Sequence, residues 1–118
     1  RWVGRVLTKL SFLCLEGIVI ENRYDESSAH LMIKVNGRFD VYCHRVFRNA
    51  FVSTPQAKTY TVDLSNVSYL DSSALGMLLL LKKHADVRGA KVLLSHCSAV
   101  VSQVLEMANF NRLFTMSE

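Results

Sequence analysis

The sequence predicts a single α/β domain: a mixed, mostly parallel sheet that opens with an N-terminal β-hairpin and carries three main helices. Three observations predict it. After two strand-like runs, stretches of helical and strand period alternate along the chain, the order expected of β-α units whose strands lie parallel. The chain has 118 residues, 50% of them hydrophobic and 20% charged, enough for one sizeable core and too few for two domains. Proline occurs once and glycine five times, which excludes collagen-like and low-complexity chains.

The elements follow in order. Residues 1–16 are basic and then apolar; they are expected to form an appendage without a clear pairing partner, such as a short helix or an extension of the start site. The domain proper is expected over 17–118. Residues 18–23 read as a first strand, Tyr24 to Ser28 as a polar turn, and residues 30–36 as a second strand ended by Gly37. Asp40 is placed to cap a helix over 40–52. There Cys43, Val46, Phe47, Ala50 and Phe51 recur on one face, and Ser53-Thr54-Pro55 stops it. Thr59 to Leu64 is β-branched and aromatic, hence a strand. Asp71 opens a helix over 72–87 that Gly89 closes. Lys91 to Ser95 is a strand, Ser98 caps a helix over 98–108 that Asn109 ends, and residues 112–116 allow one short last strand.

Several function classes lose support at once. The net charge is +4, and Arg1, Arg5 and Lys9 against Glu16 place +2 of it in the first sixteen residues. No basic run exceeds Lys82-Lys83, so the charge footprint of a nucleic-acid binder is missing. The longest apolar run, Ala74 to Leu81, falls far short of the roughly 20 residues of a membrane span. Cys14, Cys43 and Cys97 are odd in number and share no close spacing. They fit a reducing cytoplasm and neither a zinc site nor a disulfide framework. No cofactor is expected, because there is no Gly-rich phosphate loop, H-E-x-x-H or G-x-S-x-G. The histidines His30, His44, His84 and His96 are scattered, and each reads as a surface or satisfied side chain. Asp63 and Asp71 could pair as acid and base, yet one sits in a strand pattern and the other at a helix start.

The unusual stretch is Asp63 to Leu81. A strand leaves into a loop that delivers Asp71-Ser72-Ser73 to a helix N-terminus, where unsatisfied N–H groups and the helix dipole favour negative charge. A serine there can be phosphorylated with little harm to the fold. The first two turns of that helix are apolar almost all round, with Gly76 as the gap. Some of Leu75, Met77, Leu78 and Leu81 are therefore expected to lie outside the core, as at a protein partner's surface.

The segment Thr61-Val62-Asp63-Leu64-Ser65-Asn66-Val67-Ser68-Tyr69-Leu70-Asp71-Ser72-Ser73-Ala74-Leu75-Gly76 resembles the central signature of STAS domains of the anti-sigma factor antagonist type. Gly37-Arg38-Phe39-Asp40 and Met107 to Phe114 resemble the flanking motifs, and the likeness covers residues 18 to 116. It implies a β-α superhelical fold and a binding module with no catalysis of its own. It implies that Ser73 is the phosphoacceptor, that the partner is an anti-sigma factor with serine kinase activity, and that a phosphatase resets the switch. Gly37, Arg38, Phe39, Asp40, Asp71, Ser72, Ala74, Leu75, Gly76 and Met77 are then the expected partner-binding residues. Ala74 stands where the family usually has glycine, and Arg38-Phe39 where an acidic-aliphatic pair is commoner. A transporter or lipid-trafficking STAS subunit needs no phosphoacceptor, so retention of Ser72 and Ser73 favours the switch. A hydrolase using Ser73 is disfavoured, since no motif brings a histidine to it.

Overall fold

In this computed structural model, residues 11–15, 18–52 and 57–117 are described. The elements are β1 (Ser11–Leu15), β2 (Ile18–Asp25), β3 (His30–Phe39), a 3₁₀ turn (Val41–Cys43), α1 (His44–Val52), β4 (Thr59–Leu70), α2 (Ser72–Val87), β5 (Lys91–Ser95), α3 (Ala99–Met107), α4 (Phe110–Leu113) and β6 (Thr115–Ser117). The strands form one sheet in the order β1-β2-β3-β4-β5-β6. The first two pairings are antiparallel, and the pairings from β3 onward are parallel. This is the mixed, mostly parallel α/β sheet that the alternating patterns predict.

One face of the sheet is the core floor. Ile20, Tyr24, Leu31, Ile33, Val35, Tyr60, Val62, Val92 and Leu94 alternate along their strands and are buried. Phe47 and Phe51 of α1 and Met77, Leu78, Leu81 and Ala85 of α2 complete this cluster. Three tilted or edge-on ring contacts knit the layers. Phe39 and Phe47 lie 5.2 Å apart, Phe47 and Phe51 5.8 Å, and Phe51 and His84 5.0 Å. Such pairs contribute about 0.5–1.5 kcal/mol each beyond area burial.

Three departures from the sequence reading concern the ends of elements. Residues 11–15 are expected to lack a partner, but they form a strand in register with β2, Ser11 opposite Asn22 and Leu15 opposite Ile18. A five-residue apolar run beside a longer strand satisfies its backbone by pairing, which a terminal helix of that length could not do. Residues 1–10 and 16–17, the rest of the expected appendage, lie outside the described residues, as do Ser53-Thr54-Pro55.

The second departure decides the site. Gly37 does not end β3, and Leu64 does not end β4; they run on together to Phe39 and Leu70. The register slips twice, between Lys34 and Asn36 and between Gly37 and Arg38, each time with an extra residue in β4. Gly37 meets this bend with φ +86°, a conformation costly for other residues. The bulges reset the burial period of β4, so that Leu64, Val67 and Leu70 point inward at every third position. A strand that loses its period of two reads as a loop in the sequence. The third departure is at the end. Arg112 is helical in α4, and only Thr115–Ser117 pairs with β5.

Candidate functional site

The site lies where β3 and β4 end. Phe39 pairs with Leu70, so the next residues, Asp40 and Asp71, leave adjacent strands side by side, about 5 Å apart at the backbone. Each opens a helical segment. Asp40 accepts from the Tyr42 backbone N–H at 3.1 Å, and Asp71 accepts from that of Ala74 at 3.2 Å. Both are the caps expected of aspartate before a helical run, worth about 1 kcal/mol apiece. Ser98 does the same for α3, accepting from the Val101 N–H at 3.3 Å.

Charge is distributed unevenly around these caps. Arg38 donates from Nε to Asp40 Oδ2 at 3.2 Å, and its guanidinium carbon lies 4.2 Å from the centre of the Tyr69 ring. Asp40 is thus held between a cation and a helix end. Asp71 has no such cation among the described residues. Cys43 sits beneath both and donates to the Arg38 carbonyl at 3.2 Å. Burial pushes its thiol above the usual range, and the charges of Asp40 and Asp71 add to that. It is held as a thiol, a poor nucleophile.

Ser73 occupies the second position of α2, half-buried, between exposed Ser72 and buried Ala74. No hydrogen bond engages its hydroxyl among the described residues. The helix ladder uses the Leu75 N–H, which donates to the Asp71 carbonyl at 3.2 Å, and leaves the first amides facing outward. The Val41–Cys43 turn packs on α2.

The expected partner-binding residues divide into two groups. Gly37, Arg38, Asp71, Ser72, Leu75 and Gly76 are partly or fully exposed, whereas Asp40 is buried, its carboxylate paired with exposed Arg38, which corrects the expectation that it lies on the partner surface. Phe39, Ala74 and Met77 are buried in the core. Their side chains therefore lie off any surface, which corrects the expectation that they contact a partner. The apolar excess of α2 is carried instead by Leu79 and Leu80, while Met77, Leu78 and Leu81 are inward. Sequence reasoning also missed Val41, Tyr42 and Tyr69. Val41 is 57% and Tyr42 61% exposed. A valine and a tyrosine directly after a capping aspartate were the available signal.

The other candidate groups are spoken for elsewhere. Asp63 and Asp71 are separated by seven residues of strand, roughly 20 Å or more, and so do not pair. Asp63 accepts from the Ser65 N–H at 2.9 Å, and its Oδ1 lies 3.9 Å from His96 Nδ1. His30 Nε2 lies 2.7 Å from the Thr61 hydroxyl. His84 packs edge-on against Phe51 and Tyr60. Burial holds both His30 and His84 below the usual imidazole range, and nearby Arg88 lowers His84 further. No histidine hydrogen-bonds Ser73, and no group of metal-ligating side chains occurs, among the described residues. No helix there is long and apolar enough to cross a membrane.

Comparison with known proteins places this geometry. A Pseudomonas aeruginosa STAS-domain containing protein is 48% identical over 90 residues, spanning 74% of this chain and 87% of its own. The structure superposes on SpoIIAA, an anti-sigma factor antagonist and Bacillus cell fate determinant, in its unphosphorylated form. The TM-score is 0.59 at 15% identity, over 93% of this chain and 87% of that one; SpoIIAA is also known phosphorylated. It superposes as well on a sulfate transporter family protein of Wolinella succinogenes, with TM-score 0.69, 16% identity and coverage of 75% and 76%. At such identities these two likenesses speak for the fold. The family model described as Mlab, STAS domain matches residues 22–116, and by that match and the close relative the chain belongs to the STAS domain family.

Proposed function

We propose that this chain is a phosphorylatable anti-sigma factor antagonist, a binding module without chemistry of its own. It binds an anti-sigma factor that is also a serine kinase, is released when Ser73 is phosphorylated, and is reset by a phosphatase, all in the cytoplasm. The observation that carries this reading is Ser73 itself. Among the described residues its hydroxyl has no hydrogen-bond partner at a helix N-terminus, and of the capping carboxylates Asp40 and Asp71 only Asp40 has a cation.

Phosphate adds about −1.5 to −2 charges at a helix end that accommodates them. The fold therefore tolerates the modification. A partner packed over Ser73, Asp71 and Tyr69 does not, because it must desolvate the new charge. The anti-sigma factor antagonist likeness, with a relative known in both phosphorylation states, supports the same reading. Incubation with an anti-sigma kinase and labelled ATP, followed by mass-spectrometric mapping, tests it. Label is expected on Ser73 in the native chain and in Ser72→Ala, and absent from Ser73→Ala.

A second reading is a cytoplasmic STAS subunit of a transporter or lipid-trafficking complex that is never phosphorylated. The name carried by the matching family model and the transporter likeness favour it. Absence of label from Ser73 with a kinase active on another antagonist would select it.

A further inference from the structure

The outward face of α2 is apolar where a surface helix is ordinarily polar. Gly76, Leu79, Leu80, Lys83 and Val87 recur at spacings of three and four, which places them on one stripe. Leu79 and Leu80 are each 43% exposed and Val87 78%. The contact of Phe51 with His84 sets α1 alongside α2, so Val52 at the end of α1, also exposed, extends the stripe across the two-helix face. From Gly76 to Val87 the stripe runs about 17 Å, three turns of helix. A Cβ at Gly76 would meet no atom within 4 Å, so the head of the stripe is open ground.

The rim of this face is basic. Arg45 and Arg48 on the outer side of α1 and Lys83 on α2 are exposed, and none has an ion-pair partner among the described residues. Asp86, the acidic residue on the exposed side of α2, is already bound by Lys82 at 3.0 Å. Three cations without an ion pair among the described residues thus border an apolar strip whose flanking carboxylate, Asp86, is already paired; Asp71, which has no cation, lies beyond its N-terminal end.

We infer that the α1–α2 face is the docking surface for an acidic amphipathic helix of the protein partner. The inference rests on the partner-switching reading and extends it by giving the partner's chemistry. Apolar side chains of the incoming helix would cover Leu79, Leu80, Val87 and Val52, and its acidic flanks would meet Arg45, Arg48 and Lys83. Complementary charge chiefly sets orientation and association rate, and apolar burial sets the lifetime. Ser73 lies one turn before Gly76 on the same side of α2, so the acidic helix is also the occupant that phosphate there would repel.

A synthetic 18-residue helical peptide with leucine at positions spaced three and four apart and glutamate elsewhere tests this without any kinase. Its lysine counterpart, a scrambled acidic version and anionic lipid vesicles serve as comparisons. The acidic peptide should bind the full chain, shift the amide resonances of Leu79, Leu80, Val87 and Arg48, and weaken with salt. Leu80→Glu with Val87→Glu, or Arg48→Glu with Lys83→Glu, should each weaken it about tenfold or more while circular dichroism stays unchanged. Because no kinase is involved, this result stands or falls apart from phosphorylation of Ser73. Equal binding of the lysine or scrambled peptide, no loss in the double variants, preferential vesicle binding, or self-association through these residues would each overturn it.

Discussion

Gly76 and Met77 are adjacent in sequence and opposite in fate, and that contrast is checkable. Met77 is buried among Leu78, Leu81 and the sheet. Met77→Lys forces an ammonium into that core and should cost about 3–5 kcal/mol, read as a drop in the urea midpoint. Gly76 is helical and faces open space, so Gly76→Ala should stabilise the chain by about 0.5–1 kcal/mol. The sequence placed both on the partner surface, since an almost wholly apolar helix start does not reveal which way it faces. His84 makes a different prediction. Burial and Arg88 hold its folded pKa below the ordinary 6.5. The unfolded chain therefore binds the proton more readily, and stability falls as pH drops below about 6.5. His30 shifts in the same direction and adds to the slope. Urea unfolding at pH 7 and pH 5 should show this loss, and His84→Phe should flatten it.

At the scale of elements, the longer helices α2 and α3 were legible because both ends were announced, whereas four-residue α4 carries no side-chain cap and read in part as a strand. Asp71 and Gly89 bracket α2, and Ser98 and Asn109 bracket α3. Strands with unbroken alternation, such as Lys91–Ser95, were equally clear. What escaped was structure whose pattern depends on a neighbour. The outer half of β4 shows no period of two because its bulges are set by pairing with β3. The strand at Ser11–Leu15 is defined by β2 and by little of its own. That pairing has a consequence. Removing residues 1–15 turns β2 into an edge strand, so amide exchange should accelerate at those β2 positions that faced β1. Exchange rates in α2 and β5 should stay as they are. Unchanged β2 protection would mean that β1 contributes nothing to the sheet.

For the whole molecule, the superhelical order of strands brings two capping aspartates, the Ser73 hydroxyl and exposed Tyr42 and Tyr69 to one end of the sheet. Asp40, Asp71 and Ser73 were legible in the sequence because capping chemistry demands particular residue types. The aromatic border was not, since Tyr69 lies in a stretch that reads as a loop. The charge at this end decides what the domain can bind. With Arg38 against Asp40 and Asp71, the local charge is near −1; phosphate takes it to about −3. The most direct test is the affinity of an anti-sigma kinase for the native chain, Ser73→Ala and Ser73→Glu, measured by calorimetry. Ser73→Ala should bind as tightly as the unmodified chain and keep doing so with ATP present. Ser73→Glu should bind about thirty-fold more weakly or worse, the size of an uncompensated interfacial charge. Equal affinity of Ser73→Glu and the native chain would contradict the account.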